Sequence, residues 1–184
     1  MLKGSKASVG TKPNREQWLD EAVSELSAIF KERGYEVPPV RVSCGFAHTS
    51  SRSVIGQCWS TKSSDAAINE IFISPKLADP VEVLDTLTHE LVHAVDNCEH
   101  KHGKEFKAIA QRIGLQGKMR EAAAGPALKQ KLTAIALKLG NYPHAKDIRL
   151  TFGVTINRSQ KGEYQLTARI TSSDKELSCS IWMA

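Results

Sequence analysis

Residues 79–106 read DPVEVLDTLTHELVHAVDNCEHKHGKEF, and the reading of the whole chain turns on them. Asp79-Pro80 is a helix start: Asp accepts from the first free N–H groups, and Pro fits a first turn where its missing N–H costs nothing. The spacing predicts a helix over 80–97. In it His89 and His93 stand four residues apart, about 40° around the axis. Both imidazoles therefore project to one side and can hold one ion. Glu90 lies about 100° round from His89, where it can reach a water at that ion without being a ligand. Leu84, Leu87, Leu91, Val95 and Cys98 fall on the opposite face. The pattern predicts a helix that buries one side and presents the histidine pair to a cleft.

A catalytic zinc takes three protein ligands and keeps one position open. His102 leads as the third: it falls in a turn after the helix, and Gly103 lets the chain reverse. His100, Glu99 and Glu105 compete for the role. Zinc acidifies water and polarises a scissile carbonyl. Glu90 is then the general base, taking the water proton and passing it to the leaving amine. Tyr142 and His144 follow the last predicted helix and are candidates for oxyanion or substrate contacts; a Tyr-Pro-His turn equally suits a structural part. Asp85 and Asp96 lie one turn from His89 and His93. They can orient a ligand from behind or be solvated helix charges. H-E-x-x-H alone arises by chance in many proteins. The amphipathic helix and the third His before Gly weigh against chance here.

Upstream, residues 13–33 read as a helix, with Pro13 in the first turn, Asn14 as a cap and Gly34 as the stop. Trp18, Leu19, Ala22, Val23, Leu26, Ile29 and Phe30 keep one face. Short strands are predicted over 40–43, 54–59 and 68–74. Two further helices run from Gly103 to before Gly114 and from Gly125-Pro126 to near Gly140. From Ile148 the pattern alternates, over 150–156 and 164–170, around a turn at Lys161-Gly162. This predicts a β-hairpin, with a third strand over 178–182. The fold class is α+β. The expected organisation is a flexible arm over 1–12, a main domain over 13–145 and a small β-rich extension over 146–184.

The chain has 184 residues, 41% hydrophobic and 24% charged. That supplies a core and excludes disorder as the default. No run approaches the roughly 18 apolar residues of a membrane span, and residues 1–12 carry no signal-peptide core. A cytoplasmic location follows as the expectation. Cysteines stand at 44, 58, 98 and 179 without a C-x-x-C pair, so free thiols are expected. Cys44 and Cys58 read as small buried residues at strand ends, or as regulatory thiols that approach one another or the zinc. Trp59 reads as a core residue or a cleft wall. The net charge is +5 and uneven: residues 79–100 hold six acids and no Lys or Arg, and residues 101–138 hold nine bases and two acids. The basic stretch is a candidate contact for nucleic acid or a solvated helix face. No sequence-specific DNA-reading motif is visible.

His89-Glu-Leu-Val-His93 followed by His102-Gly-Lys-Glu-Phe106 resembles the H-E-x-x-H…H-G-x-x-F signature of SprT-like (Spartan-like) zinc metallopeptidases. Val42-Ser-Cys-Gly-Phe46, Gly56-Gln-Cys-Trp59, Glu70-Ile-Phe-Ile-Ser-Pro75, Gly117-Lys-Met119 and Tyr142-Pro-His144 resemble the compact phage and prophage type. The resemblance covers about residues 14–145. It implies a zincin-like fold, with a small sheet beside the zinc-bearing helix. It implies one catalytic zinc on His89, His93 and His102, with Glu90 as base, and favours His102 over His100. It implies that the strand near 68–74 aligns a substrate backbone by edge pairing. It also raises DNA-associated proteins as substrates, and the host cytoplasm as the location for a phage-encoded chain. The chain departs from relatives that end in a cysteine-rich zinc ribbon: residues 146–184 hold Cys179 alone, too few ligands for such a site. Two functions stay in competition. One is a zinc endopeptidase; the other is a non-catalytic zinc module that recruits nucleic acid or a partner protein.

Overall fold

The computed structural model describes residues 13–47 and 54–144, and the backbone of strands over 151–158, 164–171 and 176–183. The expected arm over 1–12 and the Lys161-Gly162 turn lie outside the described residues. The chain divides into two compact units, Met1–Lys146 and Asp147–Ala184. In the second, β6 (Thr151–Arg158), β7 (Tyr164–Thr171) and β8 (Glu176–Met183) form an antiparallel sheet in the order β6-β7-β8. Among the described residues, no helix is long and apolar enough to cross a membrane.

The first unit begins with helix α1 (Arg15–Glu32). The Asn14 side chain accepts from the Gln17 N–H, and the Gln17 side chain accepts from the Asn14 N–H. This reciprocal pair satisfies two donors that a helix start leaves open. Trp18, Leu19, Ala22, Leu26, Ile29 and Phe30 form the buried stripe. Strands β1 (Val40–Cys44), β2 (Gly56–Trp59) and β3 (Asn69–Ile73) follow. Their order is β1-β3-β2, with β1 parallel and β2 antiparallel to β3. The last strand in sequence is therefore the central one. This corrects the expectation that residues 68–74 offer an edge: β3 is paired on both sides, and β2 is the edge strand that faces the histidine-bearing helix.

That helix is α2 (Pro80–Val95). The Asp79 carboxylate accepts from the N–H groups of Val81 and Glu82, at 2.9 and 3.0 Å. α2 packs against α1, β2 and β3, and against α3 (Lys104–Ile113) and α4 (Pro126–Leu139). Its burial exceeds the single stripe read from the sequence. Val83, Thr86, Thr88, His89, Glu90, Val92 and Ala94 are buried along with the leucines. The added apolar positions let α2 serve as the core's central rod. Between α3 and α4, the two-residue strands β4 (Leu115–Gln116) and β5 (Ala123–Ala124) pair antiparallel.

Candidate metal centre

His89 and His93 project from α2 toward His102, which sits in the turn between α2 and α3. The Nε2 of His102 lies 3.2 Å from the Nε2 of His89 and 3.2 Å from that of His93. One ligand atom from each residue falls within 4.8 Å of the others, so the three can hold a metal ion. The spacing can be tested against zinc. Tetrahedral zinc with bonds of about 2.0–2.1 Å sets its nitrogens about 3.3–3.4 Å apart. The two separations at His102 match that geometry, and imidazole donors suit zinc.

The protonation state fits as well. Burial holds His89 down at about 4 and His93 at about 3, and also lowers His102. All three are neutral at pH 7 and carry free lone pairs. His89 Nδ1 lies 3.3 Å from the carbonyl of Ala122. The carbonyl can only accept, so Nδ1 carries the proton and Nε2 faces the ion. Phe106 lies beneath, fully buried, with its ring centre 4.3, 4.9 and 5.2 Å from those of His93, His102 and His89. One aromatic side chain thus packs against all three imidazoles.

The turn carrying His102 is tightly specified. Asn97, Cys98 and Lys101 have φ of 49°, 57° and 52°, in the left-handed region that non-glycine residues avoid. The Asn97 side-chain oxygen Oδ1 accepts from the Thr61 N–H and the Asn69 side-chain amide, tying the turn to the sheet. Asp96 accepts from the His100 N–H, and its other oxygen lies 2.6 Å from His100 Nδ1. His100 is thereby held outward and exposed, which removes it as the third ligand; Glu99 and Glu105 are exposed as well. Asp96 shapes the turn. Asp85 supports His89 at one remove: its carboxylate accepts from the Ala124 N–H at 2.8 Å, fixing the segment that offers the Ala122 carbonyl.

Glu90 is 6% exposed and points to β2. The Cys58 N–H donates to its carboxylate, while burial pushes it up to about 8. A Cβ built on Gly56 would lie 2.5 Å from Glu90 Oε1 and 2.7 Å from Thr86 Cγ2. Glycine is what lets β2 approach α2 this closely. Beside Glu90, the Sγ atoms of Cys58 and Cys98 are 3.4 Å apart. Their shared hydrogen bond pushes Cys98 down and Cys58 up. The sequence leaves Cys44 and Cys58 as small buried residues or as thiols that approach one another or the zinc; the thiol next to Cys58 is Cys98. Among the described residues, Cys44, Cys58 and Cys98 are all free thiols.

Tyr142 and His144 lie elsewhere. Tyr142 packs edge-on against Trp18 at 5.1 Å and is buried. His144 Nε2 lies 2.8 Å from the carbonyl of Pro75, and its Nδ1 accepts from Arg15 at 3.1 Å. These contacts fasten the 142–144 segment to α1 and to the end of β3. Trp59 stacks at a tilt on Phe72, 5.4 Å away.

No curated protein and no solved structure matches the chain. A family model does, that of the SprT-like family, over residues 19–134. The match takes in α2, the strained turn and α3, and with them His89, Glu90, His93, His102 and Phe106. The chain belongs to the SprT-like family.

Proposed function

We propose that the protein is a zinc-dependent metalloendopeptidase of protein or peptide substrates. The observation that carries this reading is Glu90, a buried carboxylate held by the Cys58 N–H beside three neutral, converging histidines. A purely structural metal site has no use for that carboxylate. Bound zinc supplies a Lewis acid that polarises a carbonyl and acidifies water. The three histidines hold the ion, and His89 is oriented through Ala122. Glu90 in its ionised form, which a cation on the histidines would favour against the protonated form that burial favours, accepts a proton from water and returns it to the leaving amine. The edge strand β2, in contact with Glu90 at Gly56, supports backbone pairing with an extended substrate. The Tyr142 ring packs on Trp18, and both ring nitrogens of His144 are engaged by Pro75 and Arg15.

DNA-associated proteins are the substrate class this reading favours. Lys101 and Lys104 are exposed on either side of His102 and Gly103, and Arg120 is close enough to help lower His102. Positive charge at the site's entrance suits a protein held on phosphates. The alternative, a non-catalytic zinc module, separates cleanly by experiment. Glu90→Gln keeps the size of the side chain and an acceptor for the Cys58 N–H, but removes the base. The expected outcome is zinc retained and cleavage of a general protein substrate lost. Cleavage at the wild-type rate in Glu90→Gln would sink the mechanism. Adding single-stranded DNA should raise the wild-type rate; a rate unmoved by DNA would remove the nucleic-acid part.

A further inference from the structure

We propose that Cys58 and Cys98 form a redox-modification site, a thiol pair that hydrogen peroxide converts to a disulfide beside Glu90. The sulfurs are already in contact at 3.4 Å, and Cys98 Sγ lies 3.5 Å from the Cys58 carbonyl. Disulfide formation requires closing to about 2.05 Å, a movement of roughly 1.4 Å shared between two side chains. Both residues are partly exposed, so a small oxidant can reach them. Neither thiol belongs to the three-histidine cluster.

The chemistry balances in two steps. One thiol attacks the peroxide oxygen, the O–O bond breaks, and a sulfenic acid and one water form. The second thiol displaces a second water from the sulfenic acid, and the S–S bond forms. The two thiols lose two electrons and two protons; the peroxide is reduced to water. A dithiol reductant reverses the product.

The pair's position gives this bond a consequence. Cys58 lies on β2, and its N–H holds the Glu90 carboxylate. Cys98 lies in the left-handed turn that leads to His102. A bond between them draws the edge strand toward that turn and shifts the donor that fixes the base. This effect on cleavage rests on the peptidase reading above. Misplacement of a catalytic group by about 1 Å costs roughly 100-fold in rate.

The test uses the zinc-loaded full chain treated with hydrogen peroxide, digested without reductant and examined by mass spectrometry. The expected result is one linked peptide pair containing Cys58 and Cys98, two hydrogens lighter than the sum and released by dithiothreitol. Cys98→Ser should abolish that pair, and Cys44→Ser should leave it. Cleavage should fall about 100-fold on linking and return on reduction. Separate sulfinic acids at the two positions, or thiols that stay unchanged, would overturn the site. A link that leaves cleavage untouched would overturn the coupling to Glu90. Because the link is read without cleavage, a chain that links but never cleaves refutes the peptidase reading and upholds the redox site.

Discussion

Replacing Gly56 with alanine probes how the base is placed. The new Cβ would sit 2.5 Å from Glu90 Oε1, 2.7 Å from Thr86 Cγ2 and 3.0 Å from Glu90 Cγ, where ordinary contact begins at 3.4 Å. Relief requires roughly 1 Å of movement. Thr86 and Glu90 are both buried on α2, which packs against other elements along its length. The displacement therefore falls on β2 or on the Glu90 side chain. Overpacking of this kind costs about 1–3 kcal/mol, and a base moved by about 1 Å costs on the order of 100-fold in rate. The assay is kcat/KM on a protein substrate, with zinc content and melting temperature measured on the same sample. The expected result is lost rate with zinc retained. Gly125→Ala is the control: its Cβ would meet the flexible end of Gln116, which is exposed and can move aside. It should change little. Wild-type rate and wild-type melting in Gly56→Ala would refute the reasoning, since the strand would then have room that the contact distances deny.

Further outcomes follow from the same geometry. His102→Ala removes one of three ligands, and the purified protein should lose most of its zinc by elemental analysis; full zinc content would mean another ligand completes the site. Asp85→Ala leaves the Ala124 N–H without its acceptor, at about 1–3 kcal/mol, and loosens the carbonyl that orients His89. Zinc affinity, read by competition with a chelator, should fall roughly 10–100-fold, and Asp85→Asn should restore much of it. The metal-free protein should be acid-sensitive. His89 and His93 titrate near 4 and 3 when folded but near 6.5 when unfolded, so below about 6.5 the unfolded chain binds more protons. Their contribution is complete above that pH and drains as pH falls toward about 3. For His89 alone it is worth about 3 kcal/mol. Melting of the apoprotein at pH 7 and pH 4.5 checks this, and an unchanged midpoint would contradict it.

Much of the site is legible in the sequence because its logic is local. His89 and His93 share a face through helical periodicity alone, and Asp79-Pro80 and Asn14 announce their helices by capping chemistry. His102 was harder, since a turn has no period. What separates it from His100 is Asp96, which turns His100 away, and the left-handed residues that bring His102 round. The order of the sheet is not legible in the sequence. Three short strands in a row do not reveal which is central, and a parallel β1–β3 pairing with β2 as the outer strand is a long-range fact. The support behind His89 was invisible because β4 and β5 are two residues each, too short for any alternation. The contact of Cys58 with Cys98 spans 40 positions and depends on how β2 lies on α2.

The turn between α2 and α3 acts as a ruler. Three of the residues between His93 and His102 sit where a side chain normally forbids the backbone to go, and the path they trace delivers one nitrogen to within 3.2 Å of two others. A segment so constrained cannot absorb an added or deleted residue by slackening, because it has no slack. Its length is fixed as firmly as the identity of the ligands at either end. Its interior is open to relief: glycine at 101 occupies the same backbone region without strain. Substitution there is a route to a more robust protein that leaves every ligand where it is.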